Sequence, residues 1–390
     1  MKRVLPFLFL LSFFIVACTA QTTTTPSSEQ PAAVPPTPYP DTPAPAAINA
    51  AIVETPALVS IQFLNELDGW GVTETQIVRT NDGGVTWYGI TPPNVTETGY
   101  SVETLALDAD HAWMQKPDFT NYPNSGFLNR TSDGGITWTT TTVPFSEAKL
   151  TFLDAENGWA LASLGAGAGS NAVAVFQTRD GGAIWNQAYT NDPNLPGAGD
   201  SLPLGGIKSD LVPLDMQTAW VTGVTYASGA VYLYRTDDGG HTWAPVSLPL
   251  PGGTENSQMG IESGGMKFVS ASDGFLAVRI SGDITQTAVY VTHDAGNTWT
   301  LTPTLIPEGG AADFLSVNEA VIYNGAQFYV TRDAALTWSI IPPDIVFADT
   351  FVGMDFVNTS SGWVITMDPT GHRSFYRTND GGAAWFPVIP

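Results

Sequence analysis

The chain is poor in cysteine and in basic residues, and each shortage removes a class of function. Its 390 residues include a single cysteine, Cys18, so no disulfide framework forms within one chain. Lysine and arginine number 14 against 37 aspartates and glutamates, which gives a formal net charge of -23. Nucleic acids and anionic membrane surfaces are bound through basic patches, so we expect no nucleic-acid partner.

Signals for metal binding and for nucleophilic catalysis are also lacking. No H-x-x-H, C-x-x-C or G-x-S-x-G motif occurs. The four histidines are scattered along the chain: His111, His241, His293 and His372. We therefore predict no metal site, no cofactor and no catalytic residue.

The first 56 residues differ in composition from the rest. Lys2 and Arg3 precede an apolar run, residues 4–16, that is too short for a comfortable membrane span. With the residues up to Cys18, this segment resembles a bacterial lipoprotein signal peptide (1–17). The resemblance implies cleavage before Cys18, a lipid on its thiol and an extracytoplasmic, membrane-anchored protein; an ordinary secretory signal is the alternative. Residues 18–56, with nine prolines and no lysine or arginine, predict a disordered tether.

Residues 57–390 repeat one eight-residue phrase, T-x-D-[GA]-[GA]-x-x-W, seven times. Its aspartates are Asp82, Asp133, Asp180, Asp238, Asp294, Asp333 and Asp380. They lie 39 to 58 residues apart, a period that in turn-rich sequence predicts one four-stranded blade per repeat. The fold class is therefore predicted to be all-β, a seven-bladed β-propeller of four-stranded antiparallel blades.

A second, weaker repeat lies upstream of each phrase. In four units a phenylalanine is followed by a glycine six residues later and an aromatic residue seven residues later. These units contain Phe63 and Trp70, Phe152 and Trp159, Phe268 and Phe275, and Phe356 and Trp363. All twelve tryptophans occupy this position or the end of the eight-residue phrase. Because a buried indole removes about 150–250 Å² from water, we expect them to join neighbouring blades.

The eight-residue phrase predicts a tight turn in each blade. An aspartate in a turn can accept hydrogen bonds from backbone N–H groups two residues on, and the glycines supply positive φ. Three alanines depart from this pattern: Ala295, Ala334 and Ala335. A left-handed alanine costs about 1–2 kcal/mol, so the sixth blade should be the loosest or use a different turn.

The phrase resembles the BNR or Asp-box repeat of sialidases, sortilin-type receptors, xyloglucanases and photosystem II assembly factors. The fuller unit, with its upstream phenylalanine and Gly-Trp, is most similar to the photosystem II assembly-factor group. The resemblance covers residues 57–390 and implies that the seven aspartates are structural. It does not select an activity, because one fold hosts unrelated functions.

The sequence argues against one kind of glycosidase and leaves a second kind open. The sialidase family needs an arginine triad and an F/Y-R-I-P motif, which is absent, and four arginines directly precede the phrase and so belong to outer strands. A two-carboxylate hydrolase of xyloglucanase type stays open, because two acids about 5–10 Å apart suffice. The carboxylates placed early in inner strands or in crossings are Glu97, Glu103, Asp210, Glu262, Asp313 and Asp355.

Loop lengths point to a binding face. If both repeated turns lie on one face of the disc, the variable loops lie on the other, and the longest belong to units two to four. Aromatic and polar residues in these loops suit a peptide or carbohydrate. The candidates are Lys116, Phe119, Tyr122, Tyr189 and Tyr226. We predict a monomeric, non-catalytic module that binds a protein or glycan and touches the membrane only through its lipid. A hydrolase and an envelope scaffold are the alternatives.

Overall fold

The computed structural model describes residues 48–99 and 102–389. The predicted signal peptide, Cys18 and most of the predicted tether lie outside these residues. Regular structure in the described part consists of 29 β-strands and a short 3₁₀ helix, Ala348–Thr350. No described helix has the length and apolar character needed to cross a membrane.

The strands form seven antiparallel meanders of four strands, each ordered from the centre outward. Blade 1 contains β1 (Leu58–Phe63), β2 (Gly69–Thr73), β3 (Ile77–Thr80) and β4 (Tyr88–Gly89). Blade 2 contains β5 (Glu103–Ala106), β6 (Ala112–Lys116), β7 (Gly126–Thr131) and β8 (Thr139–Val143). Blade 3 contains β9 (Ala148–Phe152), β10 (Gly158–Gly167), β11 (Ser170–Thr178) and β12 (Asn186–Thr190). Blade 4 contains β13 (Ile207–Pro213), β14 (Ala219–Val224), β15 (Tyr232–Thr236) and β16 (Ala244–Pro245). Blade 5 contains β18 (Met266–Phe268), β19 (Gly274–Ser281), β20 (Thr285–Thr292) and β21 (Thr300–Pro307). Blade 6 contains β22 (Ala311–Phe314), β23 (Ala320–Tyr323), β24 (Phe328–Thr331) and β25 (Ser339–Ile341). Blade 7 contains β26 (Phe351–Phe356), β27 (Gly362–Met367), β28 (Arg373–Thr378) and β29 (Phe386–Pro387).

One further strand joins two blades. β17 (Gln258–Gly260) pairs with β14 of blade 4 and with β19 of blade 5, so that these blades share a nine-stranded sheet. The remaining five blades are separate sheets. The arrangement confirms the predicted seven-bladed β-propeller.

The repeated phrase forms the same hydrogen-bonded turn in every blade. The threonine hydroxyl donates to the aspartate carboxylate over 2.7–2.9 Å. The carboxylate accepts the N–H four residues further on over 2.8–3.0 Å. The N–H two residues after the aspartate instead reaches the threonine oxygen, so the predicted acceptor of that bond was wrong. Threonine is thus the second fixed residue of the turn.

The alanine-containing turns keep this geometry. Ala295, Ala334 and Ala335 have φ values of 58°, 56° and 63°, the left-handed values that glycine adopts elsewhere. Ala335 still donates its N–H to the Thr331 hydroxyl over 3.0 Å. The expectation of a different turn in blade 6 is therefore wrong, because the hydrogen bonds of the phrase outweigh the strain of the alanines.

Contacts between aromatic rings join four of the seven pairs of neighbouring blades. Trp113 of blade 2 stacks on Phe152 of blade 3, with ring centroids 3.7 Å apart and planes 9° apart. The Trp113 N–H also donates to the Gly181 carbonyl in the turn of blade 3. Corresponding ring contacts are Trp220 with Phe268, Phe275 with Phe314, and Trp363 with Phe63. The upstream repeat therefore encodes the interface between blades.

The glycine of this repeat leaves room for the phenylalanine ring. Gly69 lies opposite Phe63 in the register of β1 and β2, and a Cβ at Gly69 would overlap that ring. Gly158 and Phe152 repeat this arrangement in blade 3. The hairpin thus presents its phenylalanine to the preceding blade while its tryptophan contacts the following one.

Blades 7 and 1 close the ring through the same contacts. Trp363 stacks on Phe63 at 3.6 Å, and its N–H donates to the Gly83 carbonyl over 3.1 Å. The chain before blade 1 contributes separately: Val53 donates its N–H to the Trp87 carbonyl, at the outer edge of blade 1. Direct packing of the two blades, rather than a strand exchanged between them, therefore closes the propeller.

The four arginines that precede the phrase also support these interfaces. They lie on third strands, away from the central channel, and each guanidinium lies 5.1–5.9 Å from the ring centroid of a tryptophan of its own blade. The pairs are Arg79 with Trp70, Arg130 with Trp113, Arg235 with Trp220 and Arg377 with Trp363. Their role is packing and hydrogen bonding between blades.

Replacing Trp113 with alanine should destabilise the protein by about 3–5 kcal/mol, because the substitution removes a fully buried ring together with its stack and hydrogen bond. Trp338→Ala is the matched control, since Trp338 is half-buried and its N–H has no partner in the described structure. Denaturant unfolding measures both variants. Equal losses would contradict the assignment of the upstream position to the blade interface.

Candidate functional site

Strand direction places the repeated turns and the loops of variable length on opposite faces. Turns between first and second strands, and between third and fourth strands, share one face because every blade is an antiparallel meander. The other face, here called the loop face, carries the loops between second and third strands and the crossings between blades. Each first strand starts at the loop face, so its early residues line the mouth of the central channel.

A deep layer of channel side chains comes from the penultimate residue of the first strands. Gln62 exchanges two hydrogen bonds with the backbone of Ala106 in blade 2, over 2.8 and 2.9 Å. Asp313 accepts the N–H of Phe356 in blade 7 over 2.9 Å, and Asp355 accepts the N–H of Phe63 in blade 1. These side chains tie successive blades together around the channel.

Asp313 and Asp355 are perturbed acids. Burial raises the pKa of Asp313 to about 7, although Phe356 and Lys267 oppose the shift. Burial, followed by the charge of Asp313, raises the pKa of Asp355 well above its usual range. Two neighbouring carboxyl groups that resist joint ionisation are able to exchange protons near neutral pH, so this pair meets one requirement for acid–base chemistry.

A second layer lies at the mouth of the channel, two residues earlier in the first strands of blades 2 to 4. Lys149 forms an ion pair with Glu103 at 3.1 Å. Asp210 accepts the N–H of Gly264 over 3.1 Å. Burial raises the pKa of Glu103 and that of Asp210, and Lys149 opposes both shifts. One lysine therefore stands between two carboxylates.

A groove of about 400 Å³ opens beside this ion pair on the loop face. Its lining includes Glu103, Lys149, Phe119, Asn171 and Lys208. Phe119 is 70% exposed, an unusual state for a phenylalanine that lines a groove. Charged, amide and aromatic groups thus meet on one concave surface, the composition of a recognition site.

Lys208 fixes the wall of the groove. Its ammonium donates to the backbone carbonyls of Asn171 and Leu204 over 2.9 Å each and of Gly206 over 3.2 Å. It also lies 5.1 Å from the ring centroid of Tyr232. Burial lowers the pKa of Lys208 to about 8. All three ammonium hydrogens are used, so this lysine holds the crossing before blade 4 in place.

The predicted contact residues occupy different environments. Tyr122 and Tyr226 brace the protruding β10–β11 hairpin: the Tyr122 hydroxyl lies 3.2 Å from that of Ser163, and the Tyr226 ring packs beside Gly169. Tyr189 is buried, and its hydroxyl accepts the Leu202 N–H over 2.9 Å.

Two of the predicted contact residues are more open. Phe119 faces the groove, with its ring centroid 6.4 Å from that of Tyr122. Lys116 ends β6 and is partly exposed, and its backbone pairs with Phe127. The structure therefore brings one of the five candidates, Phe119, into the groove lining.

The remaining carboxylates and histidines are separate from the groove. Glu262 pairs with Arg279 at 3.0 Å in blade 5, and Glu97 is exposed in the crossing before blade 2. His111 and His293 pair with the aspartates Asp108 and Asp273. The described residues contain no group of three or more histidines, cysteines or acids placed to hold a metal ion.

Sequence reasoning missed Lys149, Asn171 and Lys208. Lys149 was detectable, because it lies two residues before Thr151 of the first strand, at the inward position that Glu103 and Asp210 occupy in their blades. Asn171 lies near the start of β11 and Lys208 near the start of β13, and the Lys208 N–H donates to the Asn171 side chain. The long β10–β11 hairpin and the crossing after blade 3 bring them together, and no sequence periodicity predicts the paths of these loops.

Comparison with known proteins supports the fold. No family model matches the chain. It is 30% identical over 172 residues to a xyloglucanase of Paenibacillus sp., a match that covers 37% of this chain and 16% of that protein. Among solved structures, YCF48 bound to a D1 peptide aligns with a TM-score of 0.52 at 15% identity, over 86% of this chain and 99% of that chain.

The GH74 xyloglucanase from Xanthomonas campestris aligns with a TM-score of 0.55 at 15% identity, over 87% of this chain and 55% of that chain. These structural likenesses establish the β-propeller class and nothing finer. Proteins of this class include the hydrolase named in that structure and the peptide-bound YCF48, so the site must decide between activities.

Asp313→Asn should change how stability depends on pH. The folded pKa of about 7 lies above the ordinary value of 3.8, so folding favours the protonated form. That stabilisation is present below pH 3.8 and is lost as the pH rises through 7. Asparagine keeps the acceptor for Phe356 without a charge, so the variant should gain stability relative to the native protein between pH 5 and pH 8 in denaturant unfolding.

Asp238→Asn is the control of opposite sign. Burial raises the Asp238 pKa, but hydrogen bonds led by that from Thr242 outweigh it and lower the pKa to about 2. Its contribution is present above pH 3.8 and lost as the pH falls toward 2, so this variant should be less stable than the native protein at pH 5 and pH 8 alike. An unchanged pH profile in Asp313→Asn would contradict the raised pKa.

Proposed function

We propose that this protein is a non-catalytic recognition propeller that holds a protein or glycan partner at the channel mouth on its loop face. The observation that carries the proposal is the groove between blades 2 and 3, where the exposed Phe119 ring lies beside the Glu103–Lys149 ion pair. An exposed aromatic ring next to oriented polar groups offers stacking area and directional contacts at low conformational cost.

The charges around the groove suit recognition better than chemistry. The groove holds two carboxylates, Glu103 and Glu147, and one of them is paired with Lys149. Lys208 is saturated by three carbonyls and so is a poor nucleophile. The groove thus lacks an activated nucleophile with an adjacent base, whereas its polar groups can bind a polar chain.

The N-terminal segment and the repeats extend the proposal. The eight-residue phrase is read as an Asp-box with a structural aspartate, in keeping with its saturated turn. We place the propeller outside the cytoplasm, as a monomer held to the cell membrane or surface by a lipid on Cys18 and by the tether. Similar structures support either kind of partner, because YCF48 carries a D1 peptide and the other two relatives are named xyloglucanases.

A glycoside hydrolase is the second candidate, favoured by the neighbouring carboxyl groups of Asp313 and Asp355 in the channel, whose pKa values are both raised. Against this assignment, each carboxylate accepts a backbone N–H of the next blade. Gln62 occupies the equivalent position in blade 1 and accepts the equivalent backbone N–H, from Ala106 of blade 2. This position therefore joins blades even where it carries no acid. We therefore assign the pair a structural role first.

A glycan and polysaccharide array with mass-spectrometric analysis of products, together with crosslinking in the cell envelope, tests the proposal. We expect a ligand that is bound and recovered unchanged. Phe119→Ala should weaken that binding at least tenfold, because truncating an aromatic anchor removes its whole contact area. Phe127→Ala, at a ring that is 51% exposed on the same blade but outside the groove, should bind normally.

Two other outcomes would contradict the proposal. Cleavage of a polysaccharide that is abolished in Asp313→Asn would make the protein a hydrolase. Binding that is lost equally in Phe119→Ala and Phe127→Ala would move the partner away from the groove.

A further inference from the structure

The interface between blades 1 and 2 lacks the aromatic pair that joins blades at four other interfaces. Between blades 1 and 2, Trp70 is the single aromatic ring among the buried core residues. Its counterpart in blade 2 is Ala106, which lies opposite Ala112 where Phe63 lies opposite Gly69 in blade 1. The phenylalanine of the upstream repeat is therefore missing here.

Three comparable tryptophans have two partners each. Trp113 carries Arg130 over its ring and stacks on Phe152, and Trp363 likewise contacts Arg377 and Phe63. Trp220 follows the same rule with Arg235 and Phe268. Trp70 has its arginine, Arg79, but no aromatic ring in the described part of the chain stacks on it. The third layer of the stack is absent in blade 1.

A cavity accompanies this absence. The cavity has a volume of about 680 Å³, which includes part of the central channel as far as Ser263 and Val352, and it is lined by both Trp70 and Ala106. Its wall reaches the central channel between Gln62 and Leu105, and Trp138, which is half-buried, forms its outer side. Because interiors are otherwise close-packed, a cleft between two blades that opens into this cavity offers room for a ligand group.

The lining selects the kind of group that fits. Apolar side chains dominate next to Trp70 and include Val72, Val102 and Met114. Glu103, with its carboxylate held toward Lys149, supplies a polar rim at the channel end. A flat ring gains dispersion and stacking energy against indole, and elsewhere in this protein a phenyl ring takes that place.

We propose that the cleft between blades 1 and 2, bounded by Trp70, Ala106, Leu105 and Trp138, is a binding site for an aromatic ring. The ring takes the place of the missing phenylalanine and reaches it from the channel. The cleft and the Phe119 groove share Val102 and Glu103 in their linings, so a partner held in the groove is able to insert an aromatic group into the cleft. This last step rests on the proposed function; the site itself does not.

Fluorine NMR with 5-fluoroindole as the probe tests the site on the purified protein. We expect saturable binding to the native protein and at least a tenfold weaker affinity for Ala106→Phe, in which the new side chain fills the cleft. Phe314 is accommodated opposite Ala320 in blade 6, so a phenylalanine opposite Ala112 has a precedent in this fold. Val346→Phe, which adds the same ring at a side chain that is 82% exposed, should bind the probe like the native protein.

Leu105→Trp provides a second test at the channel wall, in case Ala106→Phe does not fold as judged by circular dichroism. It should also weaken the probe at least tenfold. No saturable binding to the native protein, or equal binding to both cleft variants, would overturn the proposal. If the two cleft variants lose the probe but keep the partner, only the insertion step is wrong. If the native protein binds the probe but no partner is found, the cleft site stands and the proposed function is refuted.

Discussion

The contact of an aromatic ring from one blade with the first-strand phenylalanine of the next, made at four of the seven interfaces, is the contact on which this propeller depends most. A blade of four short strands has no core of its own, so its stability comes from the interfaces with its neighbours. Trp113 on Phe152 and Trp363 on Phe63 show the contact at its most regular. The second contact closes the ring, so an interaction that joins blades within the propeller also joins the last blade to the first.

The channel follows from this arrangement. Because the phenylalanine at the end of a first strand points to the preceding blade, the residue before it turns toward the channel and the following blade. Gln62, Asp313 and Asp355 occupy that position and bind backbone groups of the next blade. The side chains of the deep channel therefore hold neighbouring blades together. Residues nearer the mouth, such as Glu103 and Lys149, lie in a groove where a ligand can reach them.

Much of the fold was predictable because each repeat forms its turn from residues that are close together in the sequence. The spacing of the seven aspartates predicted seven blades, since each turn is complete within eight residues. The hydrogen bonds within the turn were less predictable: the role of the threonine depends on how the loop winds back, which a pattern of residue types does not reveal. The turns that contain alanine keep their shape because the threonine and aspartate still make these hydrogen bonds.

The candidate site was predicted only in part. Phe119 and Glu103 could be picked out by residue type and position, and both line the groove. Tyr189 looked equivalent to Phe119 in sequence, yet it is buried, because the long crossing after blade 3 folds over it. Lys208 depends on that crossing too, through carbonyls that become neighbours only after folding.

Native-state hydrogen exchange of the Phe63 amide tests the closed ring most directly. This N–H is donated across the seam between blades 7 and 1 to Asp355. If the ring is closed as described, the amide should exchange only through global unfolding, as slowly as the amides in the centre of β2. Exchange at the rate of a fraying strand edge, with β2 still protected, would show that blades 1 and 7 are not held together and would contradict the account.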